Sequence, residues 1–155
     1  MPRLGAALPA LLLPGLDGVP RALSEIGSTG LALLAIGHSD CRTSRETLPY
    51  LDRIHRRRRA DAHVVAVLQD DAATARRLVA DLGLDLPILL ESDPYPLAQA
   101  LELVTVPTLL EIAGSDGIAR ISEGFVRDDL EAIAARLGAA PLFLPGEESP
   151  AFRPG

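Results

Sequence analysis

The stretch GHSDCRTSRETLP, residues 37–49, contains Cys41, the one cysteine in a chain of 155 residues. An apolar run precedes Cys41 and a helical pattern of apolar residues follows it, so this cysteine should lie at the start of a helix. Unpaired backbone N–H groups and the positive end of the helix dipole stabilise a thiolate at such a position. Ser44 stands three residues later, where a redox dithiol carries its second sulfur. The sequence therefore predicts a nucleophilic thiolate without a second thiol beside it.

The side chains around Cys41 bear on its reactivity. Ser44 has a hydroxyl that could donate a hydrogen bond to the sulfur, and Arg42 and Arg45 add positive potential, while Asp40 opposes them. We therefore expect the thiolate of Cys41 to form more readily than that of a free cysteine. Two simpler interpretations remain open: Cys41 as a small buried apolar residue, and Ser44 as a polar helix residue that bonds nearby backbone.

A single thiolate can attack a disulfide and form a mixed disulfide, but it cannot release itself from that intermediate. A dithiol reductase cycle is therefore excluded for this chain alone. Turnover requires an external thiol, supplied by a small molecule or by a second protein chain. The expected partners are thus a disulfide or mixed-disulfide substrate and an external thiol reductant. The same cysteine could also be oxidised to a sulfenic acid, which would give weak one-cysteine peroxidase activity.

Composition disfavours several other classes of function. The net charge of −6 and the pI near 5.0 argue against a nucleic-acid or membrane-surface partner, since both require clustered positive charge. His38, His55 and His63, taken with one cysteine, lack the paired spacings of a zinc site, and no phosphate-binding glycine loop is present. We therefore expect neither a metal nor a cofactor. The basic residues 56–59 are most simply the solvated end of a helix.

Residues 4–13 form an apolar stretch that could be taken for the core of a signal peptide. Pro9 and Pro14 interrupt the helical pattern, and only one basic residue precedes it, neither of which is typical of an export signal. No later run reaches the ~18 apolar residues that a membrane span requires. We therefore expect a cytoplasmic protein.

Alternating strands and helices must hold Cys41 in place. In order, the pattern predicts a hairpin over 8–26 that turns at Asp17-Gly18, a buried strand over 31–37, a helix that begins near Cys41, with Ser39 or Asp40 as its cap and a kink at Pro49, and a second buried strand over 63–69. These are followed by a helix over 70–84 with Gly83 at its end, a short strand or extended link over 86–92, a short helix over 93–103, a pair of strands over 106–125 and a last helix over 127–138. This order is typical of an α/β fold with a central mixed sheet and helices on both faces. Residues 1–138 should form one domain, followed by a Pro/Gly-rich tail over 139–155.

Several of these segments resemble the redoxin branch of the thioredoxin-like superfamily, which includes AhpC/TSA and TlpA-like thiol–disulfide proteins. LPALLLPGLDGVPRALSEI is similar to the opening hairpin of that branch, and LALLAIGHSDCRTSRETLPYLDRI is similar to its strand, active-site cysteine and kinked helix. VTVPTLLEI is similar to its cis-proline segment, and GSDGIARISEGF to its last hairpin. The resemblance covers about residues 8–138 and implies a thioredoxin-like fold in which Val106-Pro107 is cis and faces Cys41.

The active-site segment departs from the pattern of that branch. CRTS at 41–44 replaces the usual Cys-x-x-Cys, and Asp40 replaces the usual aromatic residue. The positions seven and three before Cys41 hold Leu34 and His38, which do not fit the P-x-x-x-[ST]-x-x-C pattern of peroxiredoxins. A peroxidase pocket of that type is therefore poorly supported.

The resemblance implies a monothiol thiol–disulfide oxidoreductase of the redoxin type, with Cys41 and Ser44 as catalytic residues and Val106, Pro107 and Arg42 at the substrate. In such folds the backbone before the proline pairs with a bound peptide. Retention of the cysteine at the helix start favours this enzyme. Loss of the second sulfur favours a non-catalytic thioredoxin-like binding or scaffold domain, and a weak one-cysteine peroxidase of the AhpC/TSA type is a further alternative.

Overall fold

The computed structural model describes residues 1–28 and 30–155. Along these residues the elements are, in order, β1 (Leu12–Pro14), β2 (Pro20–Ala22), β3 (Leu31–Gly37), α1 (Arg42–Arg57), β4 (His63–Leu68), α2 (Ala72–Leu82), β5 (Ile88–Leu90), α3 (Pro96–Ala100), β6 (Thr108–Ala113), β7 (Ile118–Glu123), β8 (Phe125–Val126), α4 (Arg127–Arg136) and β9 (Phe152–Arg153). Within the two described ranges, no helix has both the length and the apolar character needed to cross a bilayer.

A mixed sheet with the strand order β5-β4-β3-β6-β7 forms the centre of the molecule. β3 runs parallel to β4 and antiparallel to β6, while β5 is parallel to β4 and β7 is antiparallel to β6. Every residue from Ala32 to Gly37 is buried, as expected for a central strand covered on both faces. The predicted α/β class and mixed sheet are confirmed, and β1 pairs with β2 as the predicted N-terminal hairpin.

Side chains of β3 alternate between two apolar cores. Leu33 and Ala35 join the core built with α1, α2 and α4, whereas Leu34 and Ile36 join the core that includes Leu13 of the hairpin. Because successive side chains of a strand point to opposite faces, one short apolar run anchors both layers. β3 is therefore packed on both faces, and the loop to α1 begins at its carboxyl end.

The start of α1 differs from the sequence-based prediction. Cys41 itself is the N-cap, with φ −85° and ψ 114°, and its sulfur accepts a hydrogen bond from the Ser44 N–H. The prediction that Ser39 or Asp40 caps this helix is wrong. Ser39 is held elsewhere, because its N–H and hydroxyl donate to the carboxylate of Asp70.

The segment after α4 packs against the rest of the domain. Leu142 and Phe143 lie in the same core as α1, and the Phe143 ring is 4.8 Å from that of Tyr50 between centroids. The Tyr50 ring also packs against Phe125, with a centroid separation of 5.6 Å. Farther along, β9 pairs antiparallel with β8. Residues 139–155 are rich in proline and glycine, yet they pack against α1 and pair with β8.

An ion pair fixes this segment to α1. Arg53 donates two hydrogen bonds to the carboxylate of Glu147, at 2.7 and 2.8 Å, and a third to the carbonyl of Leu142. The hydrogen bonds from Arg53 are the main cause that lowers the pKa of Glu147 from its ordinary value of 4.5 to about 2. The charged form of Glu147 is therefore the one that the folded protein favours.

We expect Glu147→Gln to lower the free energy of unfolding near neutral pH by about 1 kcal/mol, the upper range for a partly exposed ion pair. A carboxyl with a depressed pKa stabilises the fold above its ordinary pKa, and this stabilisation is lost as pH falls towards the folded-state value. The difference between the two proteins should therefore shrink from pH 4.5 down to about pH 2. Urea denaturation at several pH values measures it, and a difference independent of pH would contradict the assignment.

Candidate functional site

Cys41 lies where the loop after β3 turns into α1, between a helix N-terminus and the backbone of a neighbouring loop. Its sulfur accepts a hydrogen bond from the Ser44 N–H at 3.3 Å, and its thiol donates one to the carbonyl of Val106, also at 3.3 Å. The Cys41 N–H donates to the His38 carbonyl at 3.0 Å, which closes the turn before the helix. The side chain is partly exposed. The two hydrogen bonds fix the position of the sulfur, and solvent molecules can still reach the side chain of Cys41.

The sulfur of Cys41 has one hydrogen-bond donor and one hydrogen-bond acceptor as neighbours. The Ser44 N–H is a donor, which the sulfur accepts as a thiol or as a thiolate. The Val106 carbonyl can only accept a hydrogen bond, so its contact with the sulfur requires the neutral thiol. The site therefore offers a partner to either protonation state of Cys41.

The loop that faces Cys41 carries the cis-proline expected from the sequence. The Val106-Pro107 bond is cis, which confirms that expectation, and two other X–Pro bonds, Asp93-Pro94 and Ala140-Pro141, are also cis. Pro107 is buried, and its carbonyl accepts a hydrogen bond from the Gly124 N–H at 2.9 Å. The structure thus brings Val106 and Pro107 close to Cys41, although Val106 follows Cys41 by 65 positions in the sequence.

Ser44 is fully buried beneath the sulfur. Its hydroxyl oxygen accepts a hydrogen bond from the His38 N–H at 3.3 Å, and it lies so near Gly37 that a Cβ there would be 3.1 Å away. A cavity of about 10 Å³ borders Ser44, Pro107 and the end of β3. The hydrogen bond to the sulfur comes from the Ser44 backbone, and a role for its hydroxyl towards the sulfur stays a prediction.

We expect Ser44→Ala to leave the alkylation rate of Cys41 at neutral pH within about threefold of the original, because the backbone N–H that faces the sulfur is retained. The same change should lower the free energy of unfolding by about 1 kcal/mol, since the His38 N–H loses its acceptor. Iodoacetamide kinetics and urea denaturation measure the two effects. A rate that falls tenfold would instead assign the thiolate contact to the Ser44 hydroxyl.

Arg42 occupies the first position of α1 and is exposed, and Arg45 is exposed one turn along. Across residues 1–28 and 30–155, no hydrogen bond joins either guanidinium to the Cys41 sulfur. Contact between Arg42 and a substrate stays a prediction.

Asp70 fixes the loop before Cys41, a role that the local sequence pattern does not indicate. Its carboxylate accepts hydrogen bonds from the Ser39 hydroxyl at 2.5 Å and from the Ser39 N–H at 3.0 Å, and it lies 4.0 Å from the His38 ring. His38 in turn accepts from the Asp40 N–H at 3.0 Å. The sequence pattern places Asp70 at the start of the helix over 70–84, whereas the N-cap of α2 is its neighbour Asp71. The available signal was topological, because the carboxyl ends of parallel β3 and β4 must meet at one edge of the sheet.

The last residues of the chain also reach this site. The Thr43 hydroxyl donates to the carbonyl of Pro154 at 2.6 Å, and Arg153 forms an ion pair with Glu46 at 2.5 Å. Thr43 and Glu46 belong to the first turns of α1. In the parts of the chain that the structure describes, no three His, Cys, Asp or Glu side chains are arranged to hold a metal ion.

Comparison with solved structures reveals close similarity of fold. A protein assigned as the thiol:disulfide interchange protein DsbE of Chlorobium tepidum has a TM-score of 0.77 and 21% identity over 88% of this chain and 96% of its own. A protein assigned as a disulfide isomerase of Bacteroides thetaiotaomicron has a TM-score of 0.77 and 15% identity, with 88% of each chain covered. A secreted disulfide oxidoreductase of Mycobacterium tuberculosis has a TM-score of 0.69 and 17% identity, over 83% of this chain and 96% of its own.

No family model matches the sequence, and no curated protein matches it at a significant level. The solved structures nevertheless superpose on more than four fifths of this chain. At these identities the similarity establishes the fold and leaves the chemistry to be argued from the residues. This chain has the thioredoxin-like fold that is found in thiol–disulfide exchange proteins.

Proposed function

We propose that this protein is a monothiol thiol–disulfide oxidoreductase in which Cys41 is the nucleophile. The observation that carries the proposal is the place of its sulfur, at the N-terminus of α1 and 3.3 Å from the carbonyl before Pro107. A helix N-terminus stabilises the thiolate that attacks a disulfide. The names of the solved structures with this fold, thiol:disulfide interchange protein and disulfide oxidoreductase, support the same reaction class.

The reaction proceeds by two exchanges at one sulfur. The Cys41 thiolate attacks one sulfur of a disulfide, a bond forms between these two atoms, and the other sulfur leaves as a thiolate. An external thiolate then attacks the substrate sulfur of this mixed disulfide. A new disulfide bond forms between these two sulfurs, the bond to Cys41 breaks, and Cys41 leaves as a thiolate. Over one cycle the substrate disulfide exchanges one of its thiols for the external thiol. No second cysteine and no oxidant are needed.

The surrounding groups have separate tasks in this scheme. The Ser44 N–H donates a hydrogen bond to the negatively charged sulfur of the free thiolate. In the mixed disulfide the sulfur carries no charge, so this hydrogen bond contributes less. Positive charge from Arg42 and Arg45, which are exposed in the first turn of α1, favours substrates that carry carboxylates, while the charge of exposed Asp40 opposes this preference. Asp70 acts indirectly, since it holds the loop that leads into the helix.

The proposal is tested by incubating the reduced protein with glutathione disulfide and measuring its intact mass. One glutathione should add per chain, on Cys41, and reduced glutathione should remove it again. The control is protein alkylated beforehand at Cys41, which should gain nothing. If the folded protein gains no adduct while free cysteine does, the enzyme proposal is wrong and the chain is a thioredoxin-like binding domain.

We also propose a cytoplasmic location. The apolar residues 4–13 include Leu13, which belongs to strand β1 and is buried in the domain core. Fractionation of cells that express the full chain tests this location, and recovery of the protein outside the cytoplasm would contradict it.

A further inference from the structure

We propose that residues 151–155, here called the strap, cover the peptide-docking surface beside Cys41, so that the site accepts low-molecular-weight disulfides and excludes extended polypeptides. This inference rests on the proposed function of Cys41 and names its substrate class. In the thioredoxin-like arrangement, an extended peptide would add along the backbone that precedes the cis-proline. The strap lies along that same part of the molecule.

The strap is held at its first residues by backbone pairing. β9 runs antiparallel to β8, with Arg153 opposite Phe125, and the Arg127 N–H donates to the carbonyl of Ala151 at 3.0 Å. A strand added to a free edge is also the way in which many peptides bind proteins. The strap therefore occupies its place in the manner of a bound peptide.

Side chains of α1 hold the next residues of the strap. The Thr43 hydroxyl donates to the Pro154 carbonyl at 2.6 Å, and the Arg153 guanidinium lies 2.5 Å from the Glu46 carboxylate. Thr43 is two residues from Cys41 and only 4% exposed. The strap thus covers the first turn of α1 at Thr43 and Glu46, next to Cys41.

The end of the strap lies against the carbonyl to which the Cys41 thiol donates. A Cβ placed on Gly155 would be 2.1 Å from the Val106 oxygen and 2.3 Å from the Thr105 hydroxyl, so a side chain cannot fit there. A Cβ placed on Gly124 would be 2.5 Å from the Arg153 carbonyl. Only glycine at these two positions allows the strap to come so close to the rest of the domain.

Cys41 nevertheless stays partly exposed beside the strap. A disulfide of a few residues can reach the sulfur through this opening, whereas an extended polypeptide needs the backbone that the strap occupies. Arg42 and Arg45 are exposed in the first turn of α1, and their positive charge favours small anionic disulfides, such as those of glutathione.

The test compares two probes with the same leaving group, the thionitrobenzoate mixed disulfides of glutathione and of an extended peptide with one central cysteine. Release of thionitrobenzoate gives the second-order rate with Cys41. Two variants displace the strap, a chain that stops after Pro150 and Gly155→Val. The matched control is Leu144→Val, because Leu144 is exposed and lies outside the strap.

We expect both strap variants to raise the rate with the peptide probe at least about tenfold and to change the rate with the glutathione probe less than about threefold, since only the larger probe needs the covered backbone. Leu144→Val should match the original protein with both probes. An unchanged ratio of the two rates in both strap variants would overturn the strap inference and leave the proposed function intact. If the original chain reacts with neither probe, the proposed function is wrong and the strap inference falls with it.

Discussion

Ser44→Cys should convert this protein into a dithiol that forms an internal disulfide. Cys41 is the N-cap of the helix that contains Ser44, and a cysteine three residues after a cysteine at such a place forms the Cys-x-x-Cys pair of disulfide oxidoreductases. With a small symmetric disulfide such as dithiobis(nitrobenzoate), the original protein should release one thionitrobenzoate and retain the other on Cys41. The variant should release both and retain none, because its second thiolate attacks the mixed disulfide.

Absorbance gives the released thionitrobenzoate, and intact mass distinguishes the adduct from an internal disulfide, which lacks two hydrogen atoms. The double variant with Cys41→Ser and Ser44→Cys is the control, since a buried thiol at position 44 should not replace the partly exposed one at the helix start. A variant that keeps its adduct would show that the two sulfurs cannot meet across the first turn of α1.

Cys41→Ser should abolish thiol exchange, with a loss of about a thousandfold or more, because a serine hydroxyl is almost never ionised at neutral pH. The fold should remain at least as stable, since serine is a better N-cap than cysteine and can accept the same hydrogen bond from the Ser44 N–H. Turnover of a glutathione mixed disulfide by reduced glutathione measures activity, and urea denaturation measures stability.

Retention of stability makes this substitution a clean test of chemistry. Turnover that survives in the folded Cys41→Ser protein would show that another group, or the glutathione alone, performs the exchange. Cys41→Ala is a useful companion, because alanine is a poor N-cap and should cost about 1 kcal/mol of stability on its own. Equal loss of activity in the two variants would show that the loss comes from the missing thiol and not from a weakened helix cap.

Those elements that carry a strong local pattern could be predicted from the sequence. β3 spans 31–37 as expected, because a continuous apolar run between two glycines specifies a buried strand. Helix α2 ends at Gly83, which has φ 64°, as the glycine after the last helical residue indicates. The cap of α1 could not be found in this way, because Ser39 is bound by Asp70, 31 residues farther along the chain.

The candidate site could be predicted only where a resemblance placed distant segments together. The contact between Cys41 and Val106 follows from that resemblance, and no local pattern contains it. The path of residues 139–155 was not predicted, because proline and glycine give no periodicity to indicate which surface they follow. That path depends on close backbone approaches at Gly124 and Gly155, which are properties of the packed structure alone.

The ring contact between Tyr50 and Phe143 gives the protein an optical reporter of its own. The chain has no tryptophan and two tyrosines, so tyrosine emission is not masked by an indole. Tyr50 packs on Phe143 of the C-terminal segment, and the Arg53 guanidinium lies 5.1 Å from the centre of its ring. Detachment of that segment would change the surroundings of one of the two fluorophores. The fluorescence of the unlabelled protein can therefore follow the segment in real time, while a substrate binds or is released.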